Sequence, residues 1–98
     1  MNDKNKIGII GLGLVGTAIS YRLIDSGFDV VGYDINNEFP ESVGNCTSSA
    51  EVISNCDRVI FCLPTNEVLM NVISDCRDHF RAGQILIDTG TGSPEEVN

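Results

Sequence analysis

Residues 7–16 read IGIIGLGLVG, an apolar run interrupted by glycines at 11, 13 and 16. By itself the spacing G-x-G-x-x-G is a weak sign, because glycine-rich turns are common. Its surroundings give it weight. KIGIIG (6–11) reads as a buried strand, and VGTAISYRLIDSG (15–27) places Val15, Ile19, Leu23 and Ile24 on one helical face with Gly27 as the stop. The motif therefore sits where a strand turns into a helix. There Gly11 permits the tight turn, Gly13 lets the backbone approach a pyrophosphate, and Gly16 lets the helix pack closely on the strand. The helix N-terminus adds unpaired N–H groups and a positive dipole end.

Working outward, DVVGYD (29–34) is a second strand that ends at Asp34, 18 residues after Gly16. A carboxylate at that place can bond both ribose hydroxyls of an adenosine. It also repels a 2′-phosphate, and neither Ile35 nor Asn36 supplies an arginine to bind one. NAD is expected rather than NADP. A glycine-rich turn without ligand is the competing reading, and the complete βαβ unit with Asp34 weighs against it.

Beyond Asp34 the alternation continues. NNEFPES (36–42) is a polar loop broken by Pro40, and SSAEVISNC (48–56) is a short helix with Ser48 and Glu51 at capping-box spacing. RVIFCL (58–63) is a third strand ended by Pro64. NEVLMNVISDCRDHF (66–80) is a helix bearing Val68, Val72, Ile73 and Cys76, and QILID (84–88) is a fourth strand. SPEEV (93–97) opens like a further helix, with Ser93 at the cap and Pro94 in the first turn. Apolar strands alternating with helices imply a parallel sheet covered on both faces. Right-handed crossovers favour the strand order 3-2-1-4. The expected fold is α/β: one doubly wound, Rossmann-like domain over residues 1–98, with about four strands. The chain stops as a helix begins, so a truncated domain is expected.

Two more loops leave the carboxyl ends of strands: LPTNEV (63–68) and DTGTGSP (88–94). Both are expected to border the same crevice. Pro64 turns the chain out of the sheet and stiffens its loop. Thr65 and Asn66 suit a helix cap as well as a ligand contact.

Composition narrows the function classes. A chain of 98 residues with 42% hydrophobic residues holds one core. The formal charge is −8, and its six basic residues are scattered, which excludes a nucleic-acid stripe and an anionic membrane surface as partners. Cys46, Cys56, Cys62 and Cys76 form no C-x-x-C pair, and His79 is the only histidine, so metal ligation fails on spacing. Reduced thiols fit a cytoplasmic protein. Lys4 and Lys6 before an apolar run loosely mimic a signal peptide, but the glycines break its helix and no cleavage site follows.

Taken together, the motifs resemble the N-terminal NAD(P)-binding domain of the β-hydroxyacid dehydrogenases, the group of 3-hydroxyisobutyrate and 6-phosphogluconate dehydrogenases. The likeness covers nearly the whole chain. IGIIGLGLVGTAISYRLIDSGFDVVGYD resembles the family's glycine fingerprint and second strand, with Val15 where methionine is usual. SSAEVISNCDRVIFCLP resembles the segment leading into its leucine–proline loop, and GQILIDTGTGSPEEV its G-x-x-x-I-D-x-S-T-x-S-P stretch. The resemblance implies that Gly11, Leu12, Gly13, Leu14, Val15 and Gly16 hold the pyrophosphate, and that Asp34, with Ile35 beside it, holds the adenosine ribose. It implies that Leu63 and Pro64 line the adenosine side with Val68 nearby, and that Thr91 lies near the nicotinamide ribose. Gly90 stands where the family has serine.

The family's substrate loop, catalytic lysine and following asparagine have no counterpart here, so no catalytic residue is assigned. Lys4 and Lys6 precede the first strand on the far side of the sheet, and His79 ends a helix as a cap. The resemblance implies hydride transfer between a small 3-hydroxy acid and NAD, with a helical domain outside this chain supplying the lysine and a homodimer interface. This chain alone is expected to be inactive. GLGLVG followed by VVGYDIN also resembles the opening of the nucleotide-sugar dehydrogenases, which carry a longer insert after the second strand and a cysteine with no equivalent here. A stand-alone NAD-binding or sensing module is the reading from another class, and it leaves a sheet edge unprotected.

Overall fold

The computed structural model describes residues 5–36 and 38–89. Five strands form one sheet: β1 (Lys6–Ile10), β2 (Asp29–Tyr33), β3 (Gly44–Asn45), β4 (Arg58–Phe61) and β5 (Ile85–Asp88). Their order is β3-β2-β1-β4-β5, and every pairing is parallel. Helices α1 (Leu14–Asp25), α2 (Ser49–Asn55) and α3 (Asn66–Asp75) make the crossovers after β1, β3 and β4.

The order 3-2-1-4 is present, but the third place belongs to the two-residue β3. The RVIF strand is therefore β4 and pairs with β1, from Ile7↔Arg58 to Ile10↔Phe61, rather than lying beyond β2. QILID becomes β5 at the far edge. A strand of one glycine and one asparagine carries neither β-propensity nor periodicity, so sequence pattern does not reveal it.

Strand β1 divides the core into two layers. Ile7, Ile9, Leu12, Val30, Val43 and Ile60 form one, covered by Ile19, Leu23 and Ile24 of α1. Ile10, Val52, Ile53, Cys56, Val59, Phe61 and Leu69 belong to the other, beneath α2 and α3. Each fully buried aliphatic side chain stabilises the fold by about 1.5–3 kcal/mol. Gly8 is what lets α2 approach: a Cβ there would collide with Val52 and press on the Cys56 sulfur.

Helix ends follow local chemistry. The Ser48 hydroxyl accepts the Glu51 N–H at 3.1 Å, as capping-box spacing predicts. The Glu51 carboxylate reaches one residue further back than expected, to the Thr47 N–H at 2.6 Å and hydroxyl at 2.8 Å. Those bonds hold the Glu51 carboxyl below its usual range. α3 ends at Asp75 rather than continuing to residue 80; a 3-10 turn, Arg77–His79, follows. The backbone is extended at Phe80, which packs against the core below α2 and α3.

Val15 also departs from expectation. It is 54% exposed, whereas Ile19, Leu23 and Ile24 pack on the sheet. It stands in the first turn of α1, at the carboxyl edge of the strands, where there is no sheet left to cover.

Candidate dinucleotide site

At the carboxyl ends of β1, β2 and β4 lies a crevice of about 870 Å³. Its floor is built by the glycine turn. Gly11 has φ +99°, the left-handed region that favours glycine, and a Cβ there would strike the Cys62 carbonyl. A Cβ on Gly16 would strike the Gly11 carbonyl oxygen. These two glycines are required by the protein's own packing. Gly13 differs. Beyond its chain neighbours, no atom of the described residues lies within 4 Å of where its Cβ would stand, so its freedom serves no packing among them.

The N-terminus of α1 opens at the same place. Gly13 is the N-cap, with no side-chain cap and no acidic residue in the first turn. The first helical hydrogen bond runs from the Thr17 N–H to the Gly13 carbonyl at 2.9 Å. The N–H groups of Leu14, Val15 and Gly16 thus precede the ladder. Leu14, Val15 and Gly16 all line the crevice.

Asp34 forms the next wall. It is only 7% exposed, and one carboxylate oxygen accepts the Leu12 N–H at 2.9 Å. The other accepts the Asn36 N–H at 3.0 Å and the Glu38 N–H at 3.4 Å. The side chain therefore ties the glycine turn to the loop after β2 while lining the crevice. Leu12 is itself buried in the core; its part in the site is this backbone donor. Ile35, beside Asp34, is 82% exposed at the rim.

The opposite wall comes from β4 and α3. Leu63, Pro64 and Val68 line it, as the sequence predicts. The Thr65 hydroxyl accepts the Val68 N–H at 3.1 Å, so it acts as the helix cap. Of the twelve residues predicted to hold a cofactor, only Thr91 lies outside the described residues, as does the Gly90 departure. Thr89 lines the crevice, as expected of the loop after QILID, and Tyr33, Ser49, Val72 and Asp75 also line it and were missed. Val72 and Asp75 share the helical stripe of Val68, a signal that sequence spacing carries. The Thr89 hydroxyl donates to the Phe61 carbonyl at 3.0 Å and approaches the Cys62 sulfur at 3.2 Å.

The crevice suits a dinucleotide on its own geometry. Backbone donors without partners among the described residues face the crevice at the start of α1, a carboxylate stands one strand away, and an apolar wall faces both. The cysteines do not compete for a role. All four are free, and burial raises each thiol, pushing Cys56 up to about 11. Among the described residues no three metal-ligating side chains converge. His79 lies elsewhere, with Nδ1 3.0 Å from the Ser54 hydroxyl. No helix among the described residues is long and apolar enough to cross a membrane.

The model of the NAD binding domain of 6-phosphogluconate dehydrogenase matches residues 6–98. The chain belongs to that NAD-binding family. It is 35% identical over 99 residues to D-3-phosphoglycerate dehydrogenase of Haemophilus influenzae, covering 95% of this chain and 23% of that protein. It is 32% identical over 102 residues to mitochondrial 3-hydroxyisobutyrate dehydrogenase of Mus musculus, covering 96% of this chain and 30% of the relative. Among solved structures, 3-hydroxyisobutyrate dehydrogenase of Mycobacterium tuberculosis, determined with L-serine, superposes with a TM-score of 0.78 at 30% identity. That match covers 90% of this chain and 32% of the other. An imine reductase of Myxococcus stipitatus in complex with NAD+ shares the fold, with a TM-score of 0.82 at 16% identity, over 92% of this chain and 33% of its own. The chain thus spans about a quarter to a third of the length of these proteins.

Proposed function

We propose that this chain is the cofactor-holding part of an NAD-dependent 3-hydroxyacid dehydrogenase. NAD bound there supplies the hydride acceptor for a small hydroxy acid. The chain's own residues bind and orient. In this reading the turn from Gly11 to Gly16 holds the pyrophosphate, with the open backbone at Gly13 and the free amides of α1 facing it. Asp34 takes the adenosine ribose and repels a 2′-phosphate. Ile35 covers the ribose edge, and Leu63, Pro64 and Val68 line the adenosine side. Thr91 is assigned to the nicotinamide ribose.

The observation that carries this reading is the uncapped α1 N-terminus beside an open Gly13. A helix end left polar and bare at a crevice matches an anionic ligand. The group that takes the substrate's hydroxyl proton is placed outside this chain, in a helical domain that would also carry a homodimer contact. Support comes from β5, where Ile85, Leu86 and Ile87 point alternately to both faces and are 54%, 45% and 43% exposed. A sheet that continues or is covered beyond β5 would bury them. The reading places the protein in the cytoplasm, where its thiols stay reduced.

Calorimetric titration of the chain with NAD and with NADP tests the site. NAD is expected to bind more tightly. Tighter binding of NADP would overturn the role given to Asp34, and absence of binding to both would overturn the dinucleotide reading.

A further inference from the structure

Asp75 is a feature that folding does not explain. It is the last residue of α3, where the helix dipole is negative and a carboxylate is disfavoured. Its side chain is exposed and makes no hydrogen bond or ion pair with any described residue. The basic residue that would suit this helix end is absent from its last turn. A local rule broken without compensation is a mark of functional placement.

Its position supplies the reason. α3 starts just past Pro64 at the rim and must run back toward the amino ends of the strands, because β5 is parallel to β4. Val68, Val72 and Asp75 lie on one helical stripe, and all three line the crevice. Seven residues of helix put Asp75 about 10 Å deeper than Val68. The wall is thus apolar through Leu63, Val68 and Val72 and ends in a carboxylate with no donor among the described residues. A flat apolar group carrying an N–H donor at its far edge complements such a wall.

We infer that Asp75 accepts a hydrogen bond from the 6-amino group of the ligand's adenine, and so selects the base. The inference rests on the dinucleotide reading. In it, the ribose held at Asp34 directs the base along α3, with Val68 and Val72 against the ring and the amino edge toward Asp75. The residue chooses between nucleobases and takes no part in holding the phosphates.

The test compares NAD with nicotinamide purine dinucleotide, in which hydrogen replaces the 6-amino group, by calorimetry on the wild-type chain and on Asp75→Leu and Asp75→Asn. Each comparison is a ratio within one protein, so a general change in charge repulsion on the pyrophosphate cancels. The wild type is expected to prefer NAD about tenfold, the size of one hydrogen bond to a charged acceptor. Asp75→Leu should bind both ligands alike, and Asp75→Asn should keep a smaller preference through its amide oxygen. The melting temperature of Asp75→Leu should be no lower than that of the wild type, because the substitution removes an acid from a helix C-terminus. If Asp75→Leu does not fold, the reduced preference of Asp75→Asn decides the matter. Equal binding of the two ligands by the wild type, or a full preference surviving in the variants, would overturn the role of Asp75 and leave the dinucleotide site standing. Failure of the wild type to bind either ligand would overturn the dinucleotide reading itself.

Discussion

Two helix termini in this domain meet the same physical problem and treat it in opposite ways. At the C-terminus of α2, the last carbonyl groups have no partner within the helix. The protein supplies partners from far along the chain. The Arg81 guanidinium donates to the carbonyls of Ile53 at 3.0 Å, Ser54 at 2.9 Å and Cys56 at 3.1 Å, and it pairs with Asp57 at 2.9 Å. The Gln84 amide donates to the Ile53 and Cys56 carbonyls, each at 2.7 Å. At the N-terminus of α1, the cap is a glycine without a side chain. The chain is able to satisfy a helix end when the end is purely structural. Where it leaves one bare beside a crevice, the proposed function assigns the missing partner to a ligand.

The largest effect should come from the glycine that the protein itself needs. Gly16→Val would drive a side chain into the Gly11 carbonyl and separate α1 from β1. A loss of about 4 kcal/mol or more is expected, a large fraction of the stability of a small domain. Urea denaturation measures it. A stable Gly16→Val protein would show that the close approach of helix and strand is not what this glycine serves.

Arg81→Ala breaks the comparison from its closed end. The Ser54 carbonyl loses its side-chain donor and the Ile53 and Cys56 carbonyls keep only Gln84, while the half-exposed pair with Asp57 contributes little. The expected loss is about 2 kcal/mol of stability, read from the same denaturation experiment. NAD affinity of the folded protein should be unchanged, because Arg81 is remote from the crevice. A change in affinity without a change in stability would reverse the assignment of the two ends.

The contrast also explains what the sequence could and could not disclose. The glycine turn and Asp34 were legible because every part of their mechanism lies within one βαβ unit and repeats a local pattern. The strands were legible as apolar runs, but the place of Arg58–Phe61 beside β1 depended on a two-residue strand at Gly44–Asn45 that has no pattern to read. Arg81 was read only as one of six scattered basic residues, because its partners, three backbone carbonyls and the Asp57 carboxylate, lie 24 to 28 residues away. Val15 carried the right spacing for the packing face of α1, yet the sheet does not extend far enough to meet it. Asp34 was read as a ligand contact, and the sequence held no sign that its carboxylate also accepts three backbone N–H groups.

The thiols offer a further check that is independent of ligand. Burial raises Cys56 from 9.0 to about 11, so the folded state favours the protonated form. Its contribution is fully present below pH 9, the unfolded value, and is lost as pH rises from there toward 11. At pH 10 the loss amounts to about 1 kcal/mol. Denaturation midpoints at pH 8 and pH 10 should show that decline in the wild type and a smaller one in Cys56→Ala. An equal decline in both would mean that other groups carry the alkaline sensitivity.

The sharpest test makes the open helix end resemble the closed one. Gly13 has φ −75° and ψ −155°, an extended conformation with negative φ that is open to serine, and beyond its chain neighbours a Cβ there meets no atom of the described residues. In Gly13→Ser the new hydroxyl can accept an N–H of the first turn, from Val15 or Gly16, and close the helix with the protein's own atoms. Serine caps better than glycine by a few tenths of a kcal/mol, so thermal unfolding should shift slightly upward. NAD affinity should fall, because the side chain occupies the approach to the backbone and its oxygen takes a donor meant for the pyrophosphate. Stability and binding would then move in opposite directions from one substitution. If both rose together, the bare end of α1 would be an unoptimised helix terminus and not a place reserved for a phosphate.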